Sequence, residues 1–212
     1  MEVQLTSRIV ILSKVPVAGK VKTRLSSALG LKGAALLHEA MTLDIEETVL
    51  ESQLQLEWHI AGDLDSPWAR ERKGKVVKQA GGDLGNRIAV ALGNHGLAIG
   101  TDSPTTTKEA LISASVSESD LILGPSNDGG CWLIGCNRDV SAIFENMVWS
   151  VETVHEELKR RAHGMGFSVT IIESGFDIDD PSDLDLLKTH LANLPKSVAP
   201  NTREMLRTIH GQ

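Results

Sequence analysis

Four cations lie close together in an otherwise acidic chain. Lys14, Lys20, Lys22 and Arg24 fall in an eleven-residue stretch without an acidic side chain, whereas the whole 212-residue sequence has a net charge of −7. The stretch directly follows Arg8–Ser13, an apolar run typical of a buried parallel strand. Amides and cations at a strand end can bind a phosphate chain by charge-assisted hydrogen bonds. The pattern predicts a site for an anionic small ligand, and a solvated basic loop is the structural alternative.

The basic stretch is not a Walker P-loop. Lys14 stands where that motif needs Gly, and Val21 stands where it needs Ser or Thr. We expect the cations to offset charge on a leaving phosphate and the other loop residues to hold the ligand. The catalytic candidates in this loop are Lys20, Lys22 and Arg24, and the binding candidates are Lys14, Pro16 and Gly19.

Two aspartates are candidates for a divalent cation. Asp102 follows the short apolar strand Leu97–Gly100, and Mg²⁺ is usually held by one or two carboxylates together with substrate phosphates. The alternative is that Asp102 caps the next helix, although Ser103 is able to take that role. Asp179 is the candidate for the second ligand, because clustered like charges destabilise a protein unless a cation offsets them.

Asp179 lies in an acidic segment with four carboxylates in seven residues, 177–183. Asp180, Pro181 and Asp183 match the N-cap, N1 and N3 positions of a helix start, which predicts a structural role for Asp183. Asp177 is not needed for capping.

Two glycine-containing turns are further candidates. Asp128 follows a strand and is a candidate catalytic residue, and Gly129 and Gly130 are binding candidates because glycine lets the backbone come close to a ligand. An ordinary β-turn explains the same residues. The turn Ala80–Gly85 resembles a dinucleotide fingerprint and makes Gly82 and Asp83 binding candidates. Against a dinucleotide, the first glycine is replaced by Ala80 and Asp83 would place a negative charge beside the pyrophosphate.

Composition excludes several classes of function. The acidic charge argues against nucleic-acid binding, and four Trp, three Phe and no Tyr supply few stacking platforms. Two cysteines, Cys131 and Cys136, cannot form a four-ligand zinc site and indicate idle thiols in a reducing compartment. Without an apolar run of membrane length or a signal-peptide pattern, we expect a cytoplasmic protein that binds no membrane. The histidines are scattered, and His95 alone is expected in a crevice loop.

Strand patterns alternate with helical patterns along the chain. Helices are expected over 31–51, 83–92, 108–114 and 150–162, with a terminal helix over 203–210. This order predicts one α/β domain over residues 1–212, a three-layer, Rossmann-like, mostly parallel sheet. Ligands bind such sheets at the carboxyl ends of the strands, so the loops starting at Lys14, Gly100, Gly124 and Ser174 are expected to meet.

Several blocks together resemble a known family. They are KVPVAGKVKTRL, QAGGDLGNR, IGTDSP, GPSNDGGCWLIG, the stretch ending Val148-Trp149-Ser150, and DIDDPSDL. In this order, from about Arg8 to Leu191, they resemble the bacterial glycosyltransferase-A-like family of the nucleotide-diphospho-sugar transferase superfamily, associated with radical-SAM and selenodomain gene clusters. Two departures are Cys131 in place of Tyr and Val151 in place of Thr, and the strand before Thr101 is short.

The resemblance implies a glycosyltransferase-A fold. The KTRL block is similar to the phosphate-binding loop of phospholactate and molybdenum-cofactor guanylyltransferases, which implies phosphate contacts for Lys20, Lys22 and Arg24. The aspartate of the DSP block implies that Asp102 is a metal ligand. Similarity to the D-T-P-E-D-L ending of cytidylyltransferases implies the same for Asp179.

Three functions are consistent with these residues. The first is a Mg²⁺- or Mn²⁺-dependent transferase that moves a nucleotidyl or glycosyl group from a nucleotide or nucleotide sugar to a small acceptor. The basic loop favours a triphosphate donor, the family name favours a sugar donor, and a homodimer is compatible with either. The alternatives are a dinucleotide-dependent oxidoreductase using Ala80–Gly85 and a nucleotide-binding module without turnover.

Overall fold

The computed structural model describes residues 8–149 and 151–210, without the side chains of residues 209 and 210. Seven strands form one sheet in the order β3-β2-β1-β4-β6-β5-β7. The strands are β1 Arg8–Lys14, β2 Gln55–Ala61, β3 Lys75–Lys78, β4 Gly96–Ile99, β5 Leu121–Pro125, β6 Cys131–Cys136 and β7 Val169–Ile171. β6 pairs antiparallel with β4 and β5, and the other pairings are parallel. The predicted mostly parallel α/β sheet is confirmed.

Helices cover both faces of this sheet. Their bounds are α1 Ser26–Glu51, α2 Pro67–Arg70, α3 Leu84–Leu92, α4 Lys108–Ser115, α5 Ser141–Phe144, α6 Val154–Gly164, α7 Pro181–Ala192 and α8 Pro200–His210. Alternate residues of β1 point to opposite sides, so that Ile9 and Ile11 pack in one core with α1 and α4, whereas Val10 packs in another with α3 and α6. None of the helices in the described ranges is both long and apolar enough to cross a membrane.

Three helix starts differ by several residues from the sequence expectation. α1 begins at Ser26, ahead of residue 31, because Gly30 takes φ 69 and ψ 166 and joins a short first turn to the long helix. α6 begins at Val154 because the residues before it form turns, and the expected first residue, Ser150, lies outside the described residues. The predicted terminal helix is confirmed as α8, which starts three residues earlier than expected.

The short strand β4 keeps its central place in the sheet. Its four residues are all buried and pair with β1 on one side and β6 on the other. The sheet is therefore continuous although β4 is short. Gly100, Thr101 and Asp102 follow β4 and lie at the carboxyl edge of the sheet.

A buried carboxylate attaches α8 to α1. Asp44 in α1 accepts hydrogen bonds from the backbone N–H of Asn201 and of Thr202 at 2.9 and 2.8 Å, and from the Asn201 side chain at 2.9 Å. These bonds satisfy N–H groups at the start of α8 that have no partner within the helix. Burial of Asp44 raises its pKa, and the hydrogen bonds act in the opposite direction. The arrangement brings Leu206 of α8 against the core that includes Leu37 and Met41.

We expect Asp44→Ala to lower the free energy of unfolding by about 1–2 kcal/mol, because it removes the acceptor for the first amides of α8. Chemical denaturation of both proteins measures the loss. Asp185→Ala is the matched control, since this exposed carboxylate pairs with Lys188 at the surface and should contribute less than about 1 kcal/mol. Equal losses in the two variants would contradict a capping role for Asp44.

Candidate functional site

A cleft of about 1130 Å³ opens at the carboxyl ends of the central strands. Its walls come from the loop after β1, the end of β4, the turn between β5 and β6, the segment leading into α6, and the segment before α7. These include the four loops that the sequence predicts to meet. The position is the one at which open α/β sheets bind ligands.

The ammonium group of Lys22 lies between two carboxylates of the cleft. Lys22 Nζ forms ion pairs with Asp102 Oδ1 and, at 2.9 Å, with Asp179 Oδ1. The lysine side chain is 5% exposed, whereas each carboxylate is 42% exposed. Three segments distant in sequence are thus joined by one buried charge, and the two carboxylates keep a face toward the cleft.

Backbone geometry directs Lys22 to this position. Lys22 has φ 44 and ψ 42, a left-handed conformation that is rare for a residue with a side chain. Its Nζ also donates to the Ile178 carbonyl oxygen, and the Ile178 N–H donates to the Asp102 carbonyl oxygen at 3.0 Å. An unfavourable conformation of this kind persists only where surrounding contacts stabilise it, and it is found frequently at functional sites.

The charges of this cluster stabilise one another. Burial alone would lower the pKa of Lys22, but attraction by Asp102 and Asp179 outweighs burial and the pKa of the lysine is raised. Desolvation alone would raise the pKa of Asp102, but Lys22 outweighs it and the pKa of this carboxyl is lowered. Both groups are therefore charged at neutral pH.

The donor set of Asp102 and Asp179 fits a divalent cation that is shared with a ligand. Two carboxylate oxygens converge on one positively charged atom, which is the electrostatic arrangement that a cation requires. Residues 8–149 and 151–210 contain no group of three or more His, Cys, Asp or Glu able to hold a metal ion. A cation would need its remaining ligands from phosphate oxygens and water, which is the usual coordination of Mg²⁺ in phosphate-binding sites.

Of the other candidates in the basic loop, two line the cleft and three do not. Lys14 and Arg24 line the cleft, and Arg24 also lies 3.7 Å from Asp180. Lys20 is exposed on the outside of the loop and is not among the lining residues. Pro16 and Gly19 also lie away from the lining, and Gly19 has φ 78 at the bend that turns the loop back toward the sheet.

The glycine turn before α3 contributes less than expected. Gly82 and Asp83 are exposed and do not line the cleft, whereas their neighbours Gln79 and Arg87 do. The Asp83 side chain accepts from the Asn86 N–H at 2.8 Å and caps α3. Its carboxylate thus lies at the helix start, where a dinucleotide would place its pyrophosphate. The turn also follows β3, which is an edge strand of the sheet. Both observations argue against the dinucleotide interpretation.

The turn containing Asp128 forms the opposite wall. Asp128 Oδ1 accepts from the Ser126 hydroxyl at 2.5 Å and from the Gly130 N–H at 2.9 Å. The carbonyl oxygen of Gly129 accepts from the His155 N–H at 3.1 Å, and a side chain at Gly129 would collide with the Glu152 backbone. The turn alternative is correct for the local structure, and the same turn brings Asp128, Gly129 and Gly130 to the cleft.

The alternative in which Asp102 or Ser103 caps the next helix is wrong. That helix, α4, begins at Lys108 as expected, and its cap is Thr107, whose side chain accepts from the Ala110 N–H. The Ser103 hydroxyl instead donates to Asp177 Oδ1. Desolvation, together with the negative charges of Asp102 and Asp128, raises the pKa of Asp177 to about 6 despite this hydrogen bond. The sequence analysis assigned no role in the site to Asp177, but the fold brings its carboxyl group close to Asp102 and Asp128.

The expectation that His95 alone among the histidines lies in a crevice loop is wrong, because His38 and His155 line the cleft. His38 on α1 is buried, and its Nε2 lies 3.0 Å from the Lys14 carbonyl oxygen. Burial lowers the pKa of His38. Trp149 lines the cleft from the segment before α6 and packs on Phe144. His95 is exposed at the other end of the sheet, before β4. The helical spacing of His38 with Leu37 and Met41 predicted that His38 packs on a helix face, and it did not predict that His38 lines the cleft.

The cysteines agree with the expectation of idle thiols. Cys136 is buried, and burial raises its pKa to about 11. Cys131 lines the cleft, and burial raises its pKa to about 12, so this thiol stays protonated at neutral pH.

We expect Asp177→Asn to stabilise the protein at pH 8 by up to about 3 kcal/mol. A folded-state pKa of about 6 against an ordinary 3.8 means that folding favours the protonated carboxyl, so its stability contribution is complete below pH 3.8 and is lost as the pH rises through 6. Urea denaturation from pH 4 to 8, with EDTA present, measures the difference between variant and wild type. Parallel stability curves would contradict the raised pKa.

Comparison with known proteins gives a family and a fold. The family described as "Uncharacterized protein conserved in bacteria (DUF2064)" matches residues 38–151. No curated protein matches the sequence. A structure from Desulfovibrio desulfuricans, described as a nucleotide-diphospho-sugar transferase, is 26% identical, superimposes with a TM-score of 0.84, and the match covers 97% of each chain.

Two more distant structures share the fold. The inositol-1-phosphate CTP transferase from T. maritima is 14% identical over 95% of this chain and 96% of its own, with a TM-score of 0.55. The molybdopterin-guanine dinucleotide biosynthesis protein A from Archaeoglobus fulgidus is 15% identical over 88% of this chain and 100% of its own, with a TM-score of 0.51.

Proposed function

Because the chain belongs to the DUF2064 family and has the fold of nucleotide-diphospho-sugar transferases, we propose that it is a Mg²⁺-dependent transferase with a nucleotide donor. The observation that carries this proposal is the convergence of Asp102 and Asp179 on the Lys22 ammonium group, which lies in the basic loop. The names of the similar structures support a general transferase activity. The metal, the donor and the acceptor are our inference from the cleft.

In this proposal the carboxylates and the cations of the cleft have different roles in binding the donor. Asp102 and Asp179 would hold Mg²⁺, which supplies electrostatic neutralisation of the donor phosphates when bound. Lys14 and Arg24 line the same side of the cleft and offset charge on the leaving phosphate. Lys22 holds both carboxylates in place, because its Nζ contacts Asp102, Asp179 and the Ile178 carbonyl oxygen. Catalysis then rests on positioning and electrostatic stabilisation.

The base of the nucleotide is expected at the β3 side of the cleft. Gln79 and Arg87 line that side, and the Arg87 side chain and Asn86 Nδ2 donate to the carbonyl oxygens of Gly82 and Gly81, which fixes the turn. An acceptor would then approach from the opposite wall, where the carboxylates of Asp128 and Asp177 line the cleft and would accept a hydrogen bond from an attacking hydroxyl group.

Nucleotidyl transfer is the first candidate and glycosyl transfer is the second. The cations of the basic loop favour a triphosphate donor, because three linked phosphates carry more charge to offset. The description of the 26% identical structure favours a nucleotide sugar. Pyrophosphate release from an NTP indicates nucleotidyl transfer, and release of a nucleoside diphosphate from a nucleotide sugar indicates glycosyl transfer.

We expect nucleotide binding to raise Tm only with Mg²⁺ present. A nucleotide at 100 times its Kd stabilises by about 2.7 kcal/mol, which is several degrees for a chain of this size. A thermal-shift series with four NTPs, a set of nucleotide sugars and NAD(P), each with Mg²⁺ or EDTA, measures the effect. Asp102→Asn should abolish it, whereas the exposed Asp185→Asn should not.

Metal-independent stabilisation by NAD(P), or an unchanged shift in Asp102→Asn, would contradict the proposal. Once an acceptor is found, Asp102→Asn should also slow turnover by at least about 100-fold, because the lost group stabilises charge in the transition state. Binding that persists with no product from any acceptor pool would favour a module without turnover.

A further inference from the structure

The lysines and arginines that line the cleft all lie in one half of it. This basic half contains Lys14, Lys22, Arg24 and Arg87, together with the ends of β1 and β4. The acidic residues Asp179, Asp180 and Asp183 line it as well, where Asp179 pairs with Lys22 and Asp180 with Arg24. The acceptor half is lined by parts of 126–132 and 149–155 and by Asp177. Asp102 lies between the halves, where the reacting groups would meet.

The acceptor half offers acids and no strong cation. Its lining residues include Asp128, Glu152 and Asp177, but no Lys or Arg within the described part of the chain. His155 is its basic group, and both ring nitrogens already have neighbours. Nδ1 lies 3.1 Å from the Gly129 carbonyl oxygen, and Nε2 lies 3.2 Å from Glu156.

From this charge separation we propose that the acceptor is a polyhydroxylated molecule that carries no phosphate or carboxylate group. The inference rests on the proposed function, because it assumes that the basic half holds the donor. It adds the chemical class of the second substrate and makes Asp128 and Glu152 specificity-determining residues.

Repulsion excludes an anionic acceptor from this wall. A phosphate group near Asp128 and Glu152 would meet like charges, with no Lys or Arg in the acceptor half to offset them. Hydroxyl groups suit the same carboxylates, because an ionised carboxylate accepts several hydrogen bonds. The two bonds from Ser126 and Gly130 both reach Oδ1 of Asp128, so Oδ2 can accept from a ligand.

An apolar surface completes the acceptor half. Trp149 packs on Phe144, with ring centroids 6.1 Å apart, and lines the cleft with Val151 and Val154. The indole nitrogen of Trp149 is buried and has no hydrogen-bond partner among the described residues. An aromatic wall opposite a few polar groups is typical of small-molecule sites, and it gives the C–H faces of a sugar or polyol a surface to contact.

The test compares glucose, glucosamine and glucose 1-phosphate by saturation-transfer NMR. The protein is first saturated with Mg²⁺ and inorganic pyrophosphate, so that a phosphate probe cannot report on the basic half. We expect glucose and glucosamine to bind, and glucose 1-phosphate to bind at least about tenfold more weakly than glucose, because nearby like charges disfavour it. Comparable or stronger binding of glucose 1-phosphate, or no binding of either phosphate-free sugar, overturns the proposal.

A charge-reversal variant tests the named wall. Glu152 is exposed beside the cleft, so Glu152→Lys should fold and should bring glucose 1-phosphate to within about threefold of glucose. Glu51→Lys makes the same charge change at the far end of α1 and should leave the discrimination unchanged. Unchanged discrimination in Glu152→Lys overturns the assignment of this residue.

Failure of the donor site is recognised separately. Pyrophosphate binding is followed by ³¹P line broadening with Mg²⁺, and its absence contradicts the proposed function. The binding of the three sugars is also measured without pyrophosphate. The preference for glucose over glucose 1-phosphate can therefore still be tested if the protein does not bind pyrophosphate.

Discussion

The buried ammonium group of Lys22 is the contact on which the site depends. It joins the loop after β1, the end of β4 and the segment before α7, which are also linked by the bond from the Ile178 N–H to the Asp102 carbonyl oxygen and by the Arg24–Asp180 pair. Removing a buried charge from its partners is far more destabilising than losing a surface pair, because the remaining charges are left uncompensated. The geometry of both aspartates therefore follows from one lysine in a left-handed conformation.

The sheet supplies the rest of the positioning. Parallel strands β1 and β4 end at one edge, and the antiparallel β6 returns the chain to that edge, so basic and acidic loops lie across from each other. The lysines and arginines of the cleft thus lie on one side because the topology brings the basic stretch 14–24 and Arg87 to the same edge of the sheet. A net acidic chain can present cations on one wall of a cleft wherever its loops are arranged in this way.

Local signals were readable from the sequence, and long-range ones were not. Apolar runs predicted the strands, and Asp183 serves the expected structural role by accepting from the N–H groups of Asp179 and Asp180. The cap of α4 was misplaced because the chain first makes a turn after Ser103. The direction of Lys22, the burial of His38 and the pairing of Ser103 with Asp177 depend on contacts between residues far apart in sequence, which spacing does not encode.

The tryptophans have a consequence for spectroscopy. Trp58 and Trp68 are buried within the core and do not line the cleft, whereas Trp132 and Trp149 both line its acceptor half. The first two emit from surroundings that a ligand does not reach, so they give a constant background. A change in intrinsic fluorescence on adding a ligand would therefore originate at Trp132 and Trp149, and the unmodified chain carries its own optical reporter for the occupancy of one half of its cleft.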